Sequence, residues 1–385
     1  MSAKAGRQPR RPSAARGVAI VSAVIALAHV AACVQQSPVR SQPSASRGDA
    51  AAATQFLAAA DSLRRVLRIP GLAVVVLRDT AVILSHGLGR ADVARGVLVT
   101  PETPFNIASV TKPMSAVVAL RLVEAGELDP DRPMATYRGF PEFCADVREA
   151  GGIFFSDFAC NAPSLSLGHV LSMTMNGTPG ERFYYNPPAF SWASRPMAEV
   201  TGVPFSTLTD SLVFRQAGMG RSARVHRALP LRADLAAELA TPYHVNDAGQ
   251  WVESPQPPPQ GDGAAGGVIS TAMDVARFDI ALTRGHLITD SSRGLMWTPT
   301  RANSGVALPY GLGWFVRDLD GERFLWHTGL WEGAYSALYV KIPSRQLTLI
   351  LLANSEGLSW EQRLDEAAIE RSPFVQAFMA SFGGN

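Results

Sequence analysis

Lysine is nearly absent from this 385-residue chain: of its 35 basic residues only Lys4, Lys112 and Lys341 are lysines, and all the others are arginines. Arginine does not release its proton near neutral pH, whereas a buried lysine can. Each lysine therefore raises the question of whether its position needs a removable proton. Lys4 lies in an N-terminal targeting segment, and Lys341 precedes Ile342-Pro343 at an expected turn, so both have ordinary explanations; Lys112 does not. No long basic run follows the N-terminus and the formal net charge is only +2, so no nucleic-acid partner is expected. There is no internal repeat, no His pair at i, i+4 and no His-Cys cluster, so neither a metal nor another cofactor is expected. What the chain does have is a 47% apolar fraction, enough for a sizeable core in one large domain or two smaller ones. A small neutral or mildly charged substrate suits this composition best.

The first residues carry Lys4, Arg7, Arg10, Arg11 and Arg16 ahead of an apolar run, Gly17 to Ala32, interrupted only by Ser22 and His29. That run has secretory length and is short for a membrane span. It ends in Val30-Ala31-Ala32-Cys33, which resembles a bacterial lipoprotein box whose cysteine is lipidated. Residues 1–33 are accordingly expected to be a lipoprotein-type signal peptide and the protein to be exported to the bacterial cell envelope, held to a membrane by lipid on Cys33. The alternative is ordinary cleavage, or an uncleaved anchor, with a coincidental cysteine. The remaining cysteines, Cys144 and Cys160, bracket a Gly-rich irregular stretch, and both a disulfide and two free buried thiols remain open.

Residues 34–53 are rich in Ser, Gln, Pro and Ala without apolar periodicity and predict a flexible tether. Folded structure is expected from the helical pattern around Phe56 to Leu67. An aliphatic run, Gly71 to Leu77, a turn at Arg78-Asp79-Thr80 and a second apolar run, Ala81 to Ser85, predict a hairpin whose first strand is buried on both faces. Three further strands, Phe324 to Thr328, Ala334 to Val340 and Leu347 to Ala353, suit an antiparallel sheet. The region between is mostly helical in pattern, including Thr271 to Thr283. Early and late strands in one sheet, with a helical insertion between them, are the simplest arrangement.

Three short patterns carry chemistry. Ser109-Val110-Thr111-Lys112 opens an apolar segment, and Pro113, tolerated only in a helix's first turn, requires the helix to begin close to Ser109. Ser109 and Lys112 then share one helical face at the positive end of the dipole. A lysine in apolar surroundings without an i+4 carboxylate has its ammonium form disfavoured, as the base for a serine nucleophile requires. The plainer alternative is a capping serine and a surface lysine. Second, Thr178 to Asn186 delivers Tyr184 and Asn186 two apart; a phenol facing an ammonium is acidified and can take the serine proton, unless this is only an aromatic cluster before an Asn-Pro turn. Third, His327-Thr328-Gly329-Leu330 ends a strand. Gly329 allows close approach of a ligand, and the Leu330 N–H can join that of Ser109 as an oxyanion hole, a device worth on the order of 100- to 1000-fold in rate. A packed, hydrogen-bonded histidine beside Trp326 is the alternative there.

The order Ser109-x-x-Lys112, Tyr184-x-Asn186, His327-Thr328-Gly329 resembles the serine β-lactamase and penicillin-binding-protein superfamily, nearest to class C β-lactamases and their esterase and D-stereospecific peptidase relatives. Connecting segments share the likeness: Pro104-Phe105-Asn106-Ile107-Ala108, Ala264-Ala265-Gly266-Gly267 with Ser270-Thr271, Tyr310-Gly311-Leu312-Gly313-Trp314, and Asn354. The resemblance implies an α/β (α+β) sandwich, an antiparallel sheet flanked by helices with an all-helical subdomain. The α/β part would take about 54–115 and 290–385, the helical part about 116–289. It implies that Ser109 attacks an acyl carbonyl, that Lys112 and Tyr184 shuttle its proton, and that Asn186 positions substrate and lysine. His327 would take the place of a strand lysine that meets a substrate carboxylate, with Thr328, Gly329 and Leu330 also at the substrate.

Four departures stand out. His327 offers a weaker, pH-dependent charge than lysine. Bulky Tyr185 fills the middle of Tyr-x-Asn, and Phe190 stands where relatives commonly carry another Tyr. Residues 140–163, with Phe154, Phe155 and Phe158, look like extra sequence that would wall the acyl site. The first expectation is an acyl-serine hydrolase of esters or small amides acting on a small-molecule acyl substrate. A β-lactamase or D-alanyl-D-alanine carboxypeptidase is the second, and a non-turnover acyl-binding lipoprotein sensor the third.

Overall fold

The computed structural model describes residues 47–359 and 367–383; the leader, Cys33 and most of the tether lie outside them. Helix Arg47–Val66 begins inside the stretch 34–53 expected to be a tether. The cause is local: Ala50 to Ala53 are strong helix formers, and Asp49 in the first turn pairs with Arg78 at 2.6 Å, tying the helix start to the sheet.

Seven antiparallel strands form the main sheet in the order Val97–Leu98, Ala81–Asp92, Gly71–Arg78, Leu347–Ala353, Tyr335–Ile342, Glu322–Trp331, Phe315–Leu319. The first long strand lies against the last, from Leu72↔Ala353 to Arg78↔Leu347. Gly71 to Leu77 and the whole of Leu347–Ala353 and Tyr335–Ile342 are buried, which is why these strands read as unbroken aliphatic runs rather than alternating ones. Helices Arg47–Val66 and Pro373–Phe382 pack together through Phe56, Phe378 and Phe382. Helix Ala272–Thr283 packs on strands Gly71–Arg78 and Leu347–Ala353; it therefore belongs to the sheet and not to the helical part to which the 116–289 boundary would assign it. Strand Phe315–Leu319 was not anticipated, because its two inward residues, Phe315 and Val316, are adjacent and show no alternation.

Lys341 is not at a turn. It is buried in strand Tyr335–Ile342 and paired with Asp279 at 3.0 Å, with Thr283, Thr348 and the Tyr339–Asp279 hydrogen bond completing the network. A buried ion pair of this kind holds Ala272–Thr283 in register on the sheet rather than adding much net stability. Cys144 and Cys160 are disulfide-bonded, with Cα atoms 5.6 Å apart. The bond joins helix Phe140–Ala150 to the end of the extra segment. Phe155 and Phe158 pack edge-on against Phe143, which stacks on Trp192, so those rings are engaged in an internal aromatic cluster.

A second, three-stranded sheet positions the site: Phe105–Asn106 and Ala223–Arg224 flank Val268–Ser270. Its first strand leads into the turn carrying Ser109, and its middle strand follows the loop 261–267. Among the described residues no helix is long and apolar enough to cross a membrane.

Candidate active site

Ser109 sits in a 3₁₀ turn, Ala108–Val110, that runs directly into helix Thr111–Glu124. Ala108 has φ +44°, a left-handed conformation costly for a residue with a Cβ, and Asn106 Oδ1 holds it there by accepting the Ala108 N–H at 2.9 Å. Ser109 makes no cap to the helix: Val110 is the N-cap residue and no side chain caps it. The plain alternative of a capping serine with a surface lysine is thereby removed, since Lys112 is also fully buried.

Lys112 Nζ lies 2.7 Å from Ser109 Oγ and donates to the Ala265 carbonyl at 3.1 Å. Its other close neighbours are aromatic, the Tyr185 ring at 5.2 Å and the Phe190 ring at 5.6 Å. Burial without a charge partner pushes its pKa well below the ordinary lysine value. A neutral amine has one lone pair. With one of its N–H bonds committed to Ala265, that pair is free to face the serine hydroxyl.

The tyrosine at this site is Tyr185, not Tyr184. The Tyr184 hydroxyl donates to the Ile153 carbonyl at 2.7 Å, and its ring lies against Arg182, on the outer side of the segment under the extra sequence. Successive side chains on an extended segment point to opposite sides, so Tyr184 outward places Tyr185 inward. There Tyr185 is buried over Lys112, its hydroxyl on the Ser109 side and without a hydrogen-bond partner among the described residues. Burial raises the Tyr185 pKa well above the ordinary phenol value, Ser109 only tempering the rise. The expected acidified phenolate is therefore replaced by a protonated phenol beside an amine whose ammonium form is disfavoured, because desolvation opposes both charged forms.

Asn186 does not reach Lys112 either. Its Oδ1 accepts the Ala189 N–H at 3.0 Å, capping helix Pro187–Ser191, and its Nδ2 donates to Phe154 O at 2.8 Å and Asn176 Oδ1 at 3.0 Å. The signal was present in the sequence: Asn followed by Pro is a helix start, with the Asn side chain used as the cap.

His327 is buried, its Nδ1 2.7 Å from the Thr328 carbonyl and its Nε2 3.0 Å from the Tyr310 hydroxyl. A carbonyl only accepts, so Nδ1 carries the proton and Nε2 accepts from Tyr310. Desolvation first, then the nearby Lys112, press the His327 pKa well below its ordinary value. His327 is thus a neutral, packed residue and not a cation awaiting a carboxylate. Because the unfolded chain takes up a proton below about pH 6.5 and the folded His327 does not, stability should fall with pH there by about 1.4 kcal/mol per unit from this group. Thermal midpoints measured from pH 7.5 to 5 should drop less steeply in His327→Gln than in the wild type. Parallel curves would show His327 charging in the folded state.

Pairing between Glu322–Trp331 and Phe315–Leu319 stops at Trp326↔Phe315, so residues 327–331 have no strand neighbour on that side, and the Ser109 turn packs there. The approach is closest at Gly329, where an added Cβ would stand 2.3 Å from the Ile107 carbonyl oxygen. Both atoms in that clash are fixed backbone. Gly329→Ala should therefore cost about 1–3 kcal/mol in overpacking and lower kcat/KM by on the order of 100-fold through a displaced serine turn. Wild-type turnover with an unshifted melting temperature would contradict the contact. Thr328 is buried with its hydroxyl unpartnered among the described residues, and Leu330 follows Gly329 on the same edge.

Sequence reasoning missed Tyr310 and the loop 261–267 as parts of the site, although both lay in segments that carried the resemblance. Ala265 contributes a carbonyl, which every residue has, so its role left no side-chain signature. Among the described residues no group of His, Cys, Asp and Glu side chains is arranged to hold a metal ion.

Residues 56–372 match the family described as Beta-lactamase. The chain belongs to that family. It is 25% identical over 317 residues to "Penicillin-binding protein 4*" of Bacillus subtilis, covering 74% of this chain and 69% of that one. It is 29% identical over 393 residues to "Esterase EstB" of Burkholderia gladioli, covering 82% and 95%. The solved class C β-lactamase of Rhodobacter sphaeroides superposes with TM-score 0.63 at 17% identity, over 85% of this chain and 99% of that one, a likeness of fold. Within the β-lactamase family's Tyr-x-Asn pattern, counting from Tyr185 puts Pro187 at the third position. Proline has no amide side chain to offer, and among the described residues Lys112 has a backbone carbonyl as its hydrogen-bond partner besides the serine.

Proposed function

We propose that this chain is a serine hydrolase that forms an acyl-serine at Ser109 and cleaves uncharged esters or small amides. The observation that carries the reading is the buried lysine 2.7 Å from Ser109 Oγ, its remaining polar contact a carbonyl and its charged form disfavoured by burial. Lys112 takes the Ser109 proton as the hydroxyl attacks. Tyr185, protonated at rest, passes its proton to the departing group and is reprotonated by the Lys112 ammonium; the Ser109 and Leu330 amides receive the oxyanion, and a water then cleaves the acyl-serine, its proton passing through Lys112 back to Ser109. The neutral state of His327 favours uncharged substrates over β-lactams or peptides with a free carboxylate, because the position that would meet that carboxylate carries no charge. The relatives named as esterases and as penicillin-binding proteins are compatible with either substrate class. Export and lipid anchoring at Cys33 complete the reading, supported by the leader pattern and by a disulfide suited to an oxidising compartment.

The test is purified protein against a nitrophenyl ester series, a chromogenic cephalosporin and a D-alanyl dipeptide, each compared with Ser109→Ala. Ester turnover dependent on Ser109 and exceeding the other two is expected. Faster cephalosporin or dipeptide cleavage would overturn the substrate class, and a single acylation burst without turnover would favour the sensor.

A further inference from the structure

Arg224 is a buried guanidinium behind the loop 261–267: its side chain is 1% exposed. It lies on strand Ala223–Arg224, paired with Val268, just beyond the loop 261–267. Its two terminal nitrogens donate to the Gly266 carbonyl and, at 2.7 Å, to the Gly263 carbonyl, with Asp262 Oδ1 at 3.1 Å. Asp262 is itself fixed by the Ser206 N–H at 2.8 Å, and the Phe205 ring lies 5.1 Å from the guanidinium. Between the two carbonyls taken by Arg224 are Ala264 and Ala265. Ala264 is held by Ser191 and Ser115, its N–H donating to the Ser191 carbonyl at 2.9 Å and its carbonyl accepting from Ser115 Oγ at 2.6 Å. The Ala265 carbonyl is the one that accepts from Lys112.

We infer that Arg224 is a positioning residue for catalysis: by drawing the Gly263 and Gly266 carbonyls to itself, it leaves the Ala265 carbonyl facing Lys112 and so aims the lysine at Ser109. The geometry of a fork suits this. One planar guanidinium reaches two carbonyls and a carboxylate from nitrogens spread across a rigid fork, a span that a compact ammonium does not match. Since Ser109 and the Ala265 carbonyl are the hydrogen-bond partners of Lys112 among the described residues, release of this loop removes the lysine's second hydrogen bond and lets the amine swing off the serine. Misplacement of a reacting group by about 1 Å costs on the order of 100-fold.

This inference rests on the reading of Lys112 as the base, and the two can fail separately. Steady-state kinetics on a nitrophenyl ester should show Arg224→Met losing tenfold or more in kcat with KM little changed, and Arg224→Lys recovering part of the loss. Because Arg224→Met leaves buried carbonyls unpaired and can fail to fold, Asp262→Asn is measured beside it. That change touches a partly exposed residue, loosens the guanidinium and should lower kcat several-fold on the same principle. An independent readout is ¹⁵Nζ NMR of lysine-labelled protein, simple in a chain with three lysines. The Lys112 signal should move in both folded variants while that of Lys341 stays. Unchanged kcat in Asp262→Asn and in any folded Arg224 variant, a loss confined to KM, or an unmoved Lys112 signal would overturn the inference. Full activity in Lys112→Arg would instead overturn the base assignment.

Discussion

Ser109→Ala should reduce ester turnover to the uncatalysed background, and Lys112→Arg should cost on the order of 10²- to 10⁴-fold with Ser109 intact. The first removes the atom that forms the acyl bond. The second keeps a cation but removes the means to deprotonate: arginine holds its proton at any pH the protein survives, and its fork cannot replace a single lone pair aimed at a hydroxyl 2.7 Å away. Lys112→Met separates chemistry from folding. In the wild type burial disfavours the ammonium form of Lys112, while the unfolded lysine is protonated below about pH 10.4. The unfolded state therefore binds more protons at neutral pH, and Lys112 opposes folding there. Lys112→Met should thus be at least as stable as the wild type by thermal melting at pH 7, yet as inactive as Lys112→Arg. The wild-type kcat/KM should fall as pH drops through the depressed lysine pKa, since protonation consumes the lone pair. Wild-type rates in either variant would refute proton transfer by Lys112.

Tyr185→Phe should lower kcat by on the order of 100-fold or more, whereas Tyr184→Phe should leave kcat within a few-fold. The contrast follows from where the two hydroxyls are spent. That of Tyr184 anchors the extra segment through the Ile153 carbonyl. That of Tyr185 is buried with no hydrogen-bond partner but the approach to Ser109. An unpartnered buried hydroxyl is costly in the resting protein, and removing it should not destabilise: the melting temperature of Tyr185→Phe should equal or exceed that of the wild type. Tyr184→Phe loses an ordinary hydrogen bond worth about 1 kcal/mol. If steady-state rates with a nitrophenyl ester ranked the two variants the other way, the tyrosine assignment would revert to Tyr184.

Much of the scaffold was legible in advance. Unbroken aliphatic runs such as Leu347 to Ala353 announce a strand buried on both faces, since every position needs the same chemistry. Pro113 in a first turn locates the serine helix to within a residue or two. Lys112 stood out because a chain that otherwise uses arginine keeps lysine only where its chemistry differs; Lys341, buried against Asp279, is the same signal serving structure. Where reading failed, spacing was ambiguous by one residue. Two tyrosines precede Asn186, and a period-two segment assigns its inward residue only once the register is known. The register here is set by distant groups: the Met173 carbonyl that accepts from the Tyr184 N–H, and the Phe154 carbonyl that holds Asn186.

Sequence alone determined the family, the sheet built from both ends of the chain, and the serine–lysine pair, because each depends on residues close together or on long apolar runs. Tertiary structure alone decided which tyrosine faces the serine, that His327 is neutral, and that the Ala265 carbonyl, in the loop whose Gly263 and Gly266 carbonyls Arg224 holds, faces the lysine. Those outcomes depend on burial and on carbonyl direction. Neither is a property of any residue until segments remote along the chain are packed together and water is excluded.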